Sequence, residues 1–298
     1  MVAISPLEVH GPHLPIGQDW YEAQVIAEKT IEKLAAEHRD WNFIMMPPVP
    51  VSIDCIPHLG SVNFPVKLVE EVAYYTLRPF AKEGFARLVF SSFHGSPRHN
   101  CALEAAAERL TGDYGVPAMA VFSAIISRIT DGDIFYDAVK DSPSCSITLH
   151  QTTKDTHAGF VETSLALSQW PELVEDGWQE LPPRTKVPEE TEGQSYLYGD
   201  SKDSYISKIK TNFDRMSGIL QALKHFKANT YSGYPAKSSA ESGDLIMEHV
   251  TNVAKDVLIE FMEKGSQMDV HSPLWKLRGI FLNKPLNFVA DNILKINY

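Results

Sequence analysis

Apolar positions along the first 125 residues follow two alternating patterns. Short runs at Val2–Leu7, Phe43–Val51, Arg87–Phe93 and Ala118–Ser123 have the length and composition of strands. Between them, Tyr21–Glu37, Val66–Lys82 and Cys101–Leu110 carry apolar residues at three- and four-residue spacings, which predicts helices. Asp19 and Glu22 stand where the N-cap and N3 residues of a capping box would start the first of these helices. Strand–helix alternation predicts an α/β fold, a three-layer α/β/α arrangement around a mostly parallel central sheet. In such sheets ligands bind beyond the carboxyl ends of the strands.

The pattern changes after residue 170. Residues 171–200 are rich in Pro, Glu, Gly and Asp without a clear period, and read as a long surface excursion. Helical patterns resume at Tyr205–Phe226 and Leu245–Met262. The last stretch, 265–298, carries Trp275, Leu277, Ile280, Phe281, Leu282 and Phe288. It is too apolar for a disordered tail and is expected to pack on the core or on a neighbouring subunit. The expected organisation is a domain over 1–264 followed by a C-terminal extension over 265–298.

Composition narrows the class. A net charge of −11 over 298 residues argues against a phosphate backbone as partner. Three widely separated cysteines, Cys55, Cys101 and Cys145, lack a CxxC spacing and fit a reduced compartment. No apolar run approaches the roughly 20 residues of a membrane span, and no secretory leader pattern is present. The expected location is the cytoplasm, with no nucleic-acid or membrane partner.

Candidate chemistry sits in three segments. In the first, Glu8 and His10 lie two apart after a strand-like run, so a period of two puts both on one face. Gly11, Pro12, Pro15 and Gly17 stiffen the turn that follows, and Asp19 comes next. Two carboxylates and an imidazole on a stiff loop suit a divalent metal with mixed N/O ligands. The alternative for Asp19 is a plain helix cap. The second segment, Ser91–Asn100, leaves a strand at His94 and enters a helix through Gly95 and Pro97. Here His94 is the candidate ligand, and Ser96, Arg98 and His99 either bind substrate or serve the helix start. The third segment, Lys154–Ser164, holds His157 and Glu162. Five residues apart, they are about 140° around a helix, which places His157 before the helix and Glu162 in its first turns.

Together the three segments resemble the creatininase (creatinine amidohydrolase) family. Its Glu-x-His-Gly-Pro-His-Leu-Pro-x-Gly-x-Asp motif is matched from Glu8 to Asp19, and its His-Ala-Gly-x-x-Glu-Thr-Ser motif from His157 to Ser164. Gly233–Ala236 is similar to the family's later Gly-x-Pro segment, and the resemblance spans about residues 2–260. The second family motif, Asn-Gly-His-Gly-Gly-Asn, is degraded: Phe93 precedes His94, and Ser96-Pro97-Arg98-His99 follows Gly95. Pro6-Leu7 also stands where Gly-Ser is usual.

The resemblance implies a creatininase-like fold and two divalent ions per subunit, zinc, manganese or iron. Glu8, Asp19 and His94 would hold one ion, and His10 and Asp19 the other, with Asp19 bridging. The remaining carboxylate of the second ion stands in creatininase two residues after the second-motif histidine, where this chain has Ser96. Members with glycine there are thought to use the third-motif glutamate, which makes Glu162 the candidate. His157 would shuttle a proton or polarise the scissile carbonyl. The implied activity is hydrolysis of a small, possibly cyclic amide at a C–N bond other than a peptide, by an activated hydroxide. A lactone or ester hydrolase with the same centre remains open, as does a metal-free binding or assembly protein. The family also implies a homo-oligomer, commonly a hexamer.

Overall fold

In the computed structural model, residues 1–128, 133–186 and 224–293 are described. The chain divides into two compact units. The first comprises Met1–Val9, Pro15–Ile134 and Leu245–Tyr298, the second His10–Leu14 and Phe135–Asp244.

A three-stranded parallel sheet forms the centre of the first unit, in the order β1 (Val2–Ala3), β2 (Leu88–Ser91), β3 (Ala118–Ala120). Val2 lies opposite Phe90, and Phe90 opposite Ala120, so one register row crosses all three strands. All nine strand residues are buried, as expected for a parallel sheet covered on both faces. Alternation then assigns the faces. Val2, Ile4, Leu88, Phe90, Ala118 and Ala120 pack with Ala73, Tyr74 and Leu77 of α2 (Val66–Lys82) and Leu103, Ala106 and Leu110 of α3 (Pro97–Tyr114). Ser91 points the other way, and its hydroxyl donates to the Ala23 carbonyl of α1 (Gln18–Glu37) at 2.9 Å. Helices on both faces of a parallel sheet give the expected α/β/α layering, with α2 spanning the residues its apolar spacing predicts.

Three expectations change. The Val2–Leu7 run is a strand only over Val2–Ala3, so the strand ends before Glu8 and His10. Phe43–Val51 is not a strand; it makes only an isolated parallel bridge, Val49 to Ile4. Pro47, Pro48 and Pro50 lack the N–H that a ladder needs, so the stretch meets the first strand segment through scattered backbone bonds, among them Met46 N–H to Met1 O and Val49 N–H to Ala3 O, both 2.9 Å. The Ala118–Ser123 run stops as a strand at Ala120, and α4 (Val121–Arg128) begins at once.

Among the described residues, the second unit contains α5 (Phe160–Gln169) and the first residues of α6 (Ala240–Lys264); from Leu245 onward α6 belongs to the first unit. Residues 171–186 form short 3-10 turns, Pro171–Leu173 and Trp178–Glu180. The rest of the predicted excursion and the helical pattern from Tyr205, up to residue 223, lie outside the described residues. The C-terminal stretch lies on the first unit: Ser272 Oγ donates to buried Glu104 at 2.7 Å, Leu274 is buried, and Leu282 packs against Ile53, Val66, Val69 and Ala102.

Phe90 is fully buried at the centre of the sheet. Phe90→Ala is expected to lower the unfolding free energy by about 3–5 kcal/mol, read as a shift of the urea midpoint at unchanged slope.

Candidate metal centre

The two units each carry a cluster of buried or half-buried ionisable side chains, built on the segments singled out from the sequence. In the first unit the cluster joins Glu8, Asp19 and His94. Glu8 follows the β1 segment, and its backbone N–H is fixed on the Ile16 carbonyl at 2.8 Å. Its Oε1 accepts the Ile56 N–H at 2.5 Å. Asp19 does not cap α1. The helix starts two residues earlier than such a cap implies, at Gln18 after Gly17, and has no side-chain cap. The Pro15–Gly17 turn supplies the start instead, with Gln18 N–H on Pro15 O at 3.0 Å. Asp19 therefore lies in the first turn, where the helix dipole favours a carboxylate, and its side chain is turned to His94.

His94 leaves β2 and is the centre of the cluster. Its Nδ1 is 3.2 Å from Glu8 Oε2 and 3.3 Å from Asp19 Oδ2. Its Nε2 is 3.0 Å from the Ile53 carbonyl. A carbonyl only accepts, so Nε2 carries a proton and donates it there. Nδ1 then faces two carboxylate oxygens, an arrangement a bare lone pair would make repulsive. A proton or a metal ion between Nδ1 and the carboxylates satisfies it. Burial alone lowers the His94 pKa, but Glu8 and Asp19 outweigh it and hold the imidazole well above its ordinary value. The donor set, one imidazole oriented through its other nitrogen and two carboxylates, fits a divalent ion.

The cluster of the second unit joins His10, His157 and Glu162. His10 Nε2 is 3.7 Å from Glu162 Oε2, and the His10 and His157 rings stand 4.1 Å apart. As the spacing predicts, His157 precedes the helix and Glu162 occupies the first turn of α5. Glu162 also accepts the Ala158 N–H, which bends the chain back through a positive φ of 47° at Ala158. His157 is held by paired backbone hydrogen bonds with Ser232, 3.1 and 2.7 Å. His13 bonds Thr163 Oγ1 through Nε2 at 2.8 Å. Burial, and then the neighbouring His10, push its pKa down to about 4.

Asp155 is a residue that sequence reasoning missed. Its carboxylate accepts the N–H groups of Phe160 (2.7 Å), Val161 (3.0 Å) and Tyr234 (2.9 Å). It thereby ties the segment bearing His157 and Glu162 to Gly233–Ala236. A Cβ at Gly159 or Gly233 would lie 2.0 or 2.1 Å from Asp155 Oδ1, so only glycine fits at either position. The signal was present, since both glycines belong to motif segments.

Ser96, Arg98 and His99 find their partners within the first unit. Ser96 caps α3, accepting the His99 N–H at 3.2 Å, and donates to Asp54 at 2.6 Å. Arg98 pairs with Asp54 and, through Nη1, with Asn287 at 2.8 Å and Asp291 at 2.9 Å. His99 lies among Ser52 Oγ, Ser92 Oγ and Ile4 O. Burial and the adjacent His94 push its pKa down to about 3. All three side chains thus make hydrogen bonds within the first unit.

Residues 1–258 match the Creatininase family, described as creatinine amidohydrolase. Comparison with curated protein sequences gives no match. A solved creatinine amidohydrolase (creatininase) has 16% identity and a TM-score of 0.55, over 88% of this chain and 90% of its own. A mutant creatininase of Zn-Zn type has 16% identity and a TM-score of 0.56, over 88% and 90%. A structure described as creatininase Mn has 18% identity and a TM-score of 0.52, over 88% and 91%. Fold, clusters and family match together define a metal-dependent amidohydrolase. The chain belongs to the creatininase family, and its likeness to solved members at under 20% identity is one of fold.

A neutral, buried His13 has a consequence for acid stability. Its folded-state pKa lies below the unfolded value near 6.5, so between the two the unfolded chain binds more protons. The stability is present above about pH 6.5 and is lost as pH falls towards 4. Relative to His13→Gln, which cannot titrate, native protein should lose about 1.5 kcal/mol between pH 6.5 and 5. Urea unfolding of the pair at both pH values checks this; a constant difference contradicts it.

Proposed function

We propose that the protein hydrolyses a small, possibly cyclic amide at a C–N bond other than a peptide bond, using a two-ion centre. The observation that carries this reading is His94, whose Nε2 proton is fixed on Ile53 O while Nδ1 meets two buried carboxylates. Glu8, Asp19 and His94 would hold one ion. His10 and Glu162 would hold the second, with Asp19 shared between the two as the family resemblance implies. Glu162 then supplies the carboxylate that Ser96 cannot. Zinc or manganese suits this N/O donor set, and solved relatives include forms of both kinds.

When bound, such ions supply Lewis acidity and a water of near-neutral pKa. The chain's own residues orient and move protons. Ile53 O fixes the tautomer of His94, and the Ile56 N–H holds Glu8 in place. The paired hydrogen bonds to Ser232 and the Asp155 clamp fix the backbone around His157 and Glu162. His157 is the proposed proton donor to the departing amine nitrogen, a role suited to an imidazole near neutral pH. A lactone or ester hydrolase would use the same groups, with an alkoxide in place of the amine as leaving group.

Native protein purified without chelator is expected to retain between one and about two equivalents of zinc or manganese, with Asp19→Ala losing most of it. Less than one equivalent in the native protein, or full retention in Asp19→Ala, overturns the centre. A panel of lactams, formamides and lactones separates amide from ester hydrolysis.

We also propose a homo-oligomer, a hexamer by family resemblance. It is supported by exposed apolar side chains on the C-terminal stretch, among them Ile280 (56% exposed), Leu286 (50%) and Phe288 (63%). Sedimentation at micromolar concentration should show an assembly, and Phe288→Glu should weaken it; a clean native monomer contradicts this.

A further inference from the structure

The loop residues 53–56 lie against two of the proposed ligands at once. Ile53 gives its carbonyl to His94, and Ile56 gives its N–H to Glu8. Cys55, between these anchors, is 1% exposed. Its Sγ lies in a group with a carboxylate oxygen of Glu8 and a ring nitrogen of His94, all within 4.8 Å of one another. Its backbone is fixed too, through a reciprocal pair with the Asn63 side chain at 2.9 and 3.3 Å. Asp54, at a left-handed φ of 66°, is locked in turn by Arg98 and Ser96. The thiol is thus carried to the cluster on a braced piece of backbone. Its hydrogen-bond partner is the Val62 carbonyl at 3.4 Å, a weak contact for sulfur.

Three donors of different kinds at this spacing can close on one ion with ordinary ligand distances, about 2.0–2.2 Å to N and O and about 2.3 Å to S. We propose that Cys55 is a further ligand of the ion held by Glu8, Asp19 and His94. The inference rests on the two-ion reading above and adds a sulfur donor to a set that the family resemblance makes of nitrogen and oxygen alone. In the binding step the Sγ–H bond breaks, its proton passes to the buffer, and the thiolate electron pair forms the bond to the metal. Thiolate favours zinc over manganese, so this chain's centre discriminates between the two where an all-N/O centre would do so less.

X-ray absorption of the zinc-loaded native protein tests the proposal, beside optical spectra of the cobalt-loaded native, Cys55→Ser and Cys101→Ser proteins. A sulfur shell near about 2.3 Å is expected at the zinc edge. A near-ultraviolet sulfur-to-cobalt band should be present in native and Cys101→Ser protein and absent in Cys55→Ser. Competition between zinc and manganese should shift at least tenfold towards manganese in Cys55→Ser. Zinc bound through nitrogen and oxygen alone in the native protein overturns the role of Cys55 and leaves the two-ion centre standing. Folded native protein that binds no zinc at all overturns both. If Cys55→Ser does not fold, the native zinc spectrum decides by itself.

Discussion

Charge without water is the constraint around which the first unit is arranged. Glu8 and Asp19 are both essentially buried, and removing a carboxylate from water costs several kcal/mol unless other groups replace the solvent. The replacement comes from three parts of the fold. The Ile56 N–H serves one oxygen of Glu8, the first turn of α1 favours Asp19, and the imidazole of His94 faces both carboxylates. Two of these, the Ile56 N–H and the His94 imidazole, are far in sequence from the carboxylates they serve. The strand, the loop at 52–64 and the start of α1 must therefore be correctly placed together before any of the charges is affordable. A cation on Nδ1 completes this balance, which is why the same geometry serves folding and chemistry.

Much of this was legible in the chain because it is local. The five-residue offset of His157 and Glu162 and the spacing of α2 both depend on a few consecutive residues. What sequence pattern misplaced depends on partners elsewhere. Asp19 has the composition of a cap, yet the Pro15–Gly17 turn starts the helix two residues earlier and releases its side chain towards His94. Phe43–Val51 has the apolarity of a strand, yet its prolines deny it a ladder. Asp155 looks like an exposed acidic residue until Tyr234, 79 positions later, donates to it. Cys55 was countable as a reduced thiol, while its neighbourhood could be known only from where His94 and Glu8 lie.

The degraded second motif has a physical reading in the same terms. Where the family pattern has small residues after the histidine, this chain has Ser96, Arg98 and His99, and each finds its partners within the first unit. Arg98 alone draws together Asp54, Asn287 and Asp291. A buried guanidinium of this kind stabilises little by itself, but it fixes the relative positions of segments far apart in sequence. The departure from the family at Ser96–His99 and the presence of the C-terminal stretch are thus parts of one arrangement.

That arrangement has a consequence for how the molecule is made. Ribosomes deliver the sheet, α3 and the loop bearing Cys55 long before Asn287 and Asp291 emerge. Until then Arg98 has only Asp54 to hold, and the wall beside His94 lacks its outer brace. Nascent chains can form the sheet early but complete this wall only when synthesis reaches the last helical turns. The brace on Arg98 is in this sense complete only once residues 287–291 have been made.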